Sequence, residues 1–383
     1  MDSFIQSAFD KAFGGKASNA VAPGTQGRIE QAERIDWEQK ASEEFDIQLH
    51  KAKIMVVGCG GAGCNTITRL SEMGAAGADI IALNTDAKHL SITKAHKKLL
   101  IGKDTTRGLG AGGYPQVGKK AAEESRNEIK QMLEGVDLVF VTGGLGGGTG
   151  TGSLPVVSEM AKSLGAIVIG AVTMPFKMEG TRINKAEDGL SALRQVADTV
   201  VVIENQKLLE YAGNMPLAQA FALADELISM MIKGITETIT VPSLVNLDFA
   251  DVKSIMKCGG VSAICVGESD SQSRIKDAVL KAINHPLLEV DYAGAMGALV
   301  HVVCGPDCTL AEINEAGELI SKRLSPEAQV IWGARIMPEY AGKVQVIAII
   351  TGVKSPYLLG PMEKSEVASR ETENALGIPV IFK

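Results

Sequence analysis

Aromatic residues make up only 4% of the 383-residue chain, so its cores have to be built from aliphatic side chains. Positive charge is not in excess. The formal net charge is −7, which removes the basic face that non-specific nucleic-acid binding needs. No apolar run reaches the roughly 20 residues of a membrane span. Six cysteines and five histidines are scattered. Cys304 and Cys308 lie close together, but no second Cys pair or Cys/His pair stands at zinc-ligand spacing, so no metal held by direct side-chain ligation is expected. With no secretory leader, the cysteines are expected to be reduced thiols in a cytoplasm. The Gly-x4-Gly-Lys-Ser/Thr pattern is also missing, which excludes a P-loop.

Glycine is what the chain has in abundance. Seven of the ten residues from Gly143 to Gly152 are glycine. The run Asp137–Thr142 before them reads as a buried strand, and Ser153–Leu164 after them reads as a helix with apolar residues on one side. Backbone without Cβ atoms can approach a ligand closely, and the helix adds its positive N-terminal end, so this turn suits a phosphate. Thr149 and Thr151 offer hydroxyls beside Gly146, Gly147, Gly148 and Gly150. A tight turn alone would need only one or two glycines.

Two further glycine loops share the pattern. Ile54–Val57 is strand-like, and Gly58, Gly60 and Gly63 after it carry the dinucleotide-fingerprint spacing. The next strand, Asp79–Asn84, ends in Asn84-Thr-Asp86, where Asp86 suits a ribose contact, a helix cap or a metal contact. Thr105–Pro115 is the other glycine loop, followed by one long helix to about Glu134. Strands at 166–173 and 198–203 flank a helix over about 181–196. Strands alternating with helices, with the loops at strand C-terminal ends, predict an α/β fold with a doubly wound, Rossmann-like parallel sheet.

The spacing divides the chain into four parts. Residues 1–50 form an arm, with an amphipathic helix (Phe4, Ile5, Phe9, Phe13) and a Gly/Ala/Ser linker. Residues 51–240 form the nucleotide-binding domain, ending in a central helix over 216–240 that is about 37 Å long. On it Phe221 and Asp225 stand one turn apart, either facing one ligand or serving as core and solvated residues. Residues 241–352 form a smaller α/β domain, with strands near 262–267, 297–304, 329–335 and 343–351 and helices near 271–284 and 309–323. The polar tail 353–383 reads as mobile until the apolar end Leu376–Phe382, which suits a docking peptide or a returning strand.

Gly146-Gly-Gly-Thr-Gly-Thr-Gly152 resembles the signature of the tubulin and FtsZ superfamily, and Asn246-Leu-Asp-Phe-Ala-Asp251 resembles the FtsZ synergy loop. Gly58–Asn65, Asn84–Asp86, Thr106–Gly112, Pro175-Phe176, Glu179-Gly180 and Gly305–Asp307 follow in the family's order, and the arm and tail are similar to archaeal members. The resemblance implies a GTPase. Gly60, Gly61, Ala62, Gly63, Cys64 and Asn65, with Gly148, Thr149 and Gly150, would hold the phosphates. Ala111, Gly112 and Gly113 would sense the γ-phosphate. Glu179 and Arg182 would reach the ribose and base side. Asn205 and Asp225 would read guanine, with Phe221 stacked on it; a carboxylate can accept two N–H groups from guanine, which adenine cannot supply. Mg²⁺ would come with the GTP phosphates.

The resemblance also implies a mechanism and partners. Asp248 and Asp251, which the local pattern reads equally as an N-cap with an acidic first turn or as a functional pair on one helix face, would enter the neighbouring subunit's pocket with Asn246 and orient or activate water there. Self-association would be head to tail, and such a contact propagates as a filament. Membrane-anchor or division partners would bind the tail or the arm at mid-cell, without nucleic acid. The family role is cell division; an FtsZ-like scaffold or cell-shape regulator with low turnover is the alternative. Four departures stand out: Ser243 and Cys64 replace usual glycines, Glu204-Asn-Gln-Lys207 replaces Pro-Asn-Asp-Lys, and the segment after Glu179 is one residue shorter.

Overall fold

The computed structural model describes residues 52–74, 77–212, 214, 216–241, 243–245, 247–257, 261–284, 290–354 and 358–359. The arm, Asn246 and the apolar end of the tail lie outside the described residues.

Four strand–helix units open the described chain. They are β1 (Ile54–Cys59) with α1 (Gly60–Met73), β2 (Ala78–Asn84) with α2 (Ala87–Ile92), β3 (Lys97–Leu100) with α3 (Lys103–Thr106), α4 (Pro115–Glu124) and α5 (Arg126–Leu133), and β4 (Leu138–Gly144) with α6 (Thr149–Ser163). Next come β5 (Ile167–Met174), a 3₁₀ turn at Lys177–Glu179, α7 (Thr181–Arg194), β6 (Thr199–Glu204), α8 (Asn205–Ala212) and α9 (Leu217–Thr240). The remainder is α10 (Phe249–Lys257), β7 (Val261–Ser269), α11 (Arg274–Ile283), β8 (Gly297–Cys304), α12 (Leu310–Ser321), β9 (Gln329–Ile336), β10 (Val344–Val353) and β11 (Leu358–Leu359).

The first sheet has the order β11-β6-β5-β4-β1-β2-β3, and β1 to β6 run parallel. Its strands are apolar on both sides because both faces are covered. On β1, Ile54 and Val56 enter one core, while Met55, Val57 and Cys59 enter the other. The first core is shared with α9 and with the second sheet, of order β7-β10-β8-β9. Gly234 lets α9 approach that second sheet: a Cβ there would stand 3.2 Å from the Ile347 side chain. Strand order reverses at β1, which has β2 on one side and β4 on the other. That switch point opens a crevice at the strands' C-terminal ends, and the loops after β1 and β4 are the two that flank it.

Three local features differ from the sequence expectation. The helix after the glycine run begins at Thr149 rather than Ser153, so Gly150 and Gly152 are helical. Their missing Cβ atoms serve packing, since a Cβ on Gly152 would lie 2.1 Å from Pro115 O and one on Gly150 would lie 2.7 Å from Gly144 O. The expected helix over 115–134 breaks at Ser125, whose ψ of 20° leaves the helical range and whose hydroxyl accepts the Gly102 N–H at 3.2 Å. Past Val353 the chain adds β11 antiparallel to β6, with Leu358 opposite Val201 and Leu359 opposite Val200.

Candidate functional site

A cleft of about 330 Å³ occupies the crevice at the switch point. Its walls are Gly61 and Ala62 from the start of α1, Gly144, Leu145, Gly147, Gly148, Thr149 and Gly150 between β4 and α6, Thr173 and Pro175 after β5, and Glu179, Arg182, Asn205 and Phe221. Two helices aim at it, and both are bare at the entrance. Neither α1 nor α6 has a side-chain N-cap bond, and neither carries an acid in its first turn. Their leading N–H groups are therefore left for a ligand, with both dipoles favouring an anion. A Cβ on Gly61 would meet nothing within 4 Å, so the space beside it is open. Gly60 takes φ +73°, with Gly150 N 2.8 Å from where its Cβ would be, and so lets the two loops touch. These features fit a chain of phosphates.

The opposite end of the cleft is apolar and polar by turns. Phe221 is 40% exposed and meets Phe176 edge-on, with ring centroids 5.8 Å apart. Glu179 is the only carboxylate among the described lining residues, and both its oxygens are taken. Oε1 accepts the Phe176 N–H at 2.8 Å, and Oε2 pairs with Arg182 Nη1. The Nε of Arg182 also donates to Gly146 O at 3.3 Å, bracing the glycine loop from α7.

Several candidate residues stand behind the cleft instead of in its wall. Gly63 is buried where a Cβ would meet Thr142 O at 2.5 Å. Cys64 is fully buried, and burial pushes its thiol above the ordinary range. Asn84 is 2% exposed; its Nδ2 lies 3.6 Å from Cys64 Sγ, and its Oδ1 accepts the Asp86 N–H. Asp86 is a helix cap, accepting from the N–H groups of Lys88 and His89 on α2. Thr85 Oγ1 reaches Thr149 Oγ1 at 2.6 Å, tying β2 to the start of α6.

Ala111 is buried against Gly148, at whose position a Cβ would stand 2.8 Å from the Ala111 methyl. Gly112 and Gly113 are exposed next to it, and Gly113 O accepts from Lys185 Nζ at 2.8 Å. Thr151 faces elsewhere. It lines a second hollow between α4, α6 and α7, and its buried hydroxyl has no protein partner.

Asn65 and Asp225 border a separate hollow between α1, α2 and α9. Asp225 accepts from Thr66 Oγ1 at 2.7 Å, and burial raises its carboxyl above the usual range against the opposing pull of that bond and of Arg69. Gly144, Leu145, Thr173 and Pro175 line the cleft without having been singled out as ligand contacts. The rule that ligands sit at strand C-terminal ends points to Thr173 and Pro175 at the end of β5.

Asp248 and Asp251 lie on the other domain. The Asp248 N–H donates to Asp251 Oδ2 at 3.0 Å, and the Asp251 N–H donates to Asp248 Oδ1 at 2.8 Å. This reciprocal box starts α10 and leaves Asp248 Oδ2 and Asp251 Oδ1 outside it. The approach is pinned by Val245, which pairs with Ala334 of β9 in both directions, and by Leu247, 1% exposed against Gly333. Among the described residues none beyond 221 lines the cleft, and neither carboxylate borders it.

Comparison with known proteins agrees with this layout. Residues 53–213 match the family model described as "Tubulin/FtsZ family, GTPase domain", and residues 260–354 match "FtsZ family, C-terminal domain". The chain is 56% identical over 330 residues to "Cell division protein FtsZ 2" of Methanocaldococcus jannaschii, covering 85% of this chain and 86% of that protein. It is 50% identical over 341 residues to "Cell division protein FtsZ 1" of Thermococcus kodakarensis, covering 87% of this chain and 91% of the relative. The solved "FtsZ dimer, empty (M. jannaschii)" superposes with a TM-score of 0.74 at 50% identity, over 87% of this chain and 93% of that one. The cleft between two bare helix ends, the capped acidic pair on the second sheet's domain and these likenesses together place the chain in the FtsZ family of cell-division proteins, with a tubulin-like GTPase domain.

Proposed function

We propose that this protein is a filament-forming GTPase of cell division, acting at the division site, and that it hydrolyses GTP only where two copies meet head to tail. The observation that carries the proposal is the cleft's lack of a base. Its one carboxylate, Glu179, is spent on Phe176 N–H and Arg182, and no lining residue can take a proton from water. The pair Asp248 and Asp251, exposed and half-buried in turn, stands outside the cleft's wall, oriented by mutual capping that uses one oxygen of each.

A second copy would supply what the first lacks. The bare ends of α1 and α6 hold the phosphates, Gly61 leaves them room, and Ala111–Gly113 closes over the terminal phosphate against Gly148. Phe221 stacks on the base, with Asn205 reading its edge from the cleft wall, Asp225 reaching it from the hollow that Ala222 lines beside Phe221, and Glu179 and Arg182 on the ribose side. Mg²⁺, bound through the phosphates, would offset their charge. Asp248 and Asp251 of the next copy, with Asn246, then orient the attacking water and accept its proton. A contact of this kind does not close on itself, so it propagates. Membrane-anchor or division partners are assigned to the tail or the arm.

GTP turnover measured against protein concentration tests the proposal. Specific activity should rise steeply once assembly begins, as followed by light scattering. Velocity strictly proportional to concentration from dilute protein upward would overturn it.

A further inference from the structure

We infer that His301, with Thr238 and Ser243, is a positioning relay that sets the acidic loop from the central helix. The inference rests on the proposed head-to-tail hydrolysis. His301 lies on β8 and is 1% exposed. Its Nδ1 is 3.0 Å from Thr238 Oγ1, in the last turn of α9. Its Nε2 is 3.3 Å from Ser243 Oγ, three residues past the end of that helix.

The hydrogens can be assigned from chemistry. Thr238 has one hydroxyl hydrogen, which goes to Gly234 O at 2.7 Å in the helix. Towards His301 it is therefore an acceptor, and the imidazole hydrogen belongs on Nδ1. Nε2 is then a buried acceptor, and leaving it empty is costly. Ser243 has two acceptors at equal distance, Val241 O and His301 Nε2, both 3.3 Å away. Among the described residues the imidazole has no other donor at Nε2, so the serine hydrogen goes there. A glycine at 243, as is usual in the family, could not make this bond.

The relay joins three things that matter to hydrolysis. α9 carries Phe221 and Asp225 near its start and Thr238 near its end, roughly 20 Å further along. Ser243 begins the segment that Val245 and Leu247 dock onto β9 and that delivers Asp248 to the start of α10. His301 bonds to both the helix and the loop. It sets the loop's register against α9, and with it where Asp248 and Asp251 project.

Two measurements test the relay. The first uses selective ¹⁵N labelling of histidine in the unaltered protein. The expected His301 signal is the Nδ1–H tautomer, and a hydrogen on Nε2 overturns the inference whatever the variants do. The second uses Ser243→Ala and Thr238→Val, alone and together, reading critical concentration by sedimentation and GTP turnover per assembled subunit. Each single variant should keep GTP affinity and critical concentration within about twofold while lowering turnover per assembled subunit about tenfold. The double variant should be no worse than either single, as coupled groups are not additive. Unchanged turnover per assembled subunit, or independent losses that multiply, overturns the relay. Asp251→Ala measured alongside separates the two levels: normal turnover in that variant sinks shared-site hydrolysis itself, whereas a dead Asp251→Ala beside an unaffected Ser243→Ala sinks the relay alone.

Discussion

Gly61 and Gly150 both border the cleft, but they differ in what a methyl group would do. At Gly61 the added carbon meets nothing within 4 Å, so Gly61→Ala should melt within a degree or two of the parent while GTP binding weakens tenfold or more. At Gly150 the added carbon stands 2.7 Å from Gly144 O, so Gly150→Ala should lose stability as well as binding. Thermal melting beside nucleotide titration separates the two, and equal behaviour would count against the assignment of Gly61 to the phosphates. Asp225→Asn keeps an acceptor for Thr66 and removes a charge that burial disfavours. It should leave the melting temperature close to that of the parent while reducing the preference for GTP over ATP, measured by competition binding. His301 gives a pH dependence. Burial, and to a lesser degree the Arg335 charge, hold its imidazole down at about 4, below the ordinary 6.5. The unfolded chain then binds more protons than the folded one between those values, so stability is fully present above about pH 6.5 and falls as pH drops towards 4. The loss is on the order of 3 kcal/mol at most. His301→Asn should flatten the melting-temperature profile between pH 6.5 and 4, and a slope that survives would assign it to other groups.

Elements that bury two faces or one full stripe were readable from sequence. The strands now seen as β1, β2 and β4 to β10 and the helices α7, α9, α11 and α12 fall within a few residues of their expected spans, because their apolar periods are set by burial. β3 was not readable: Lys97 and Lys98 are both exposed on a strand that pairs with β2 alone. α2 is a six-residue helix held by the Asp86 cap, too short to show a period. The start of α6 was hidden because glycines at 150 and 152 read as loop, whereas they are helical so that α4 can come close. In the cleft, the glycines and Thr149 announced themselves by composition, but Asn205, Glu179 and Phe221 were legible only through a family likeness, since no local pattern links residues so far apart in sequence. The close crossing gives an element-scale prediction. Gly152→Ala puts a carbon 2.1 Å from Pro115 O and must push α4 away. It should cost roughly 1–3 kcal/mol, more than the helix propensity it gains, and lower the melting temperature by several degrees. No loss would mean the two helices separate more easily than their packing implies.

At the scale of the molecule, the proposed reading makes the base-poor cleft of one copy and the acidic pair of the next the two halves of one site. Mixing offers a direct check. Asp251→Ala has an intact cleft, and Gly61→Ala, starved of nucleotide at limiting GTP, has an intact acidic loop. In an equal mixture that co-assembles at random, about a quarter of the contacts would pair a sound cleft with a sound loop. The mixture should therefore turn over GTP faster than the average of its two components assayed separately. A rate equal to that average would mean each chain works with its own loop.

The two-residue strand β11 has a mechanical consequence. Because Leu358 and Leu359 return to β6 after the second sheet is complete, that sheet is tethered at both ends: by α9 where it begins and by β11 where it finishes. The last strand thus adds a second chain connection between the two sheets, beside the core that they share. A load applied to the chain beyond residue 359 would reach the first sheet through β6 before it reached the second.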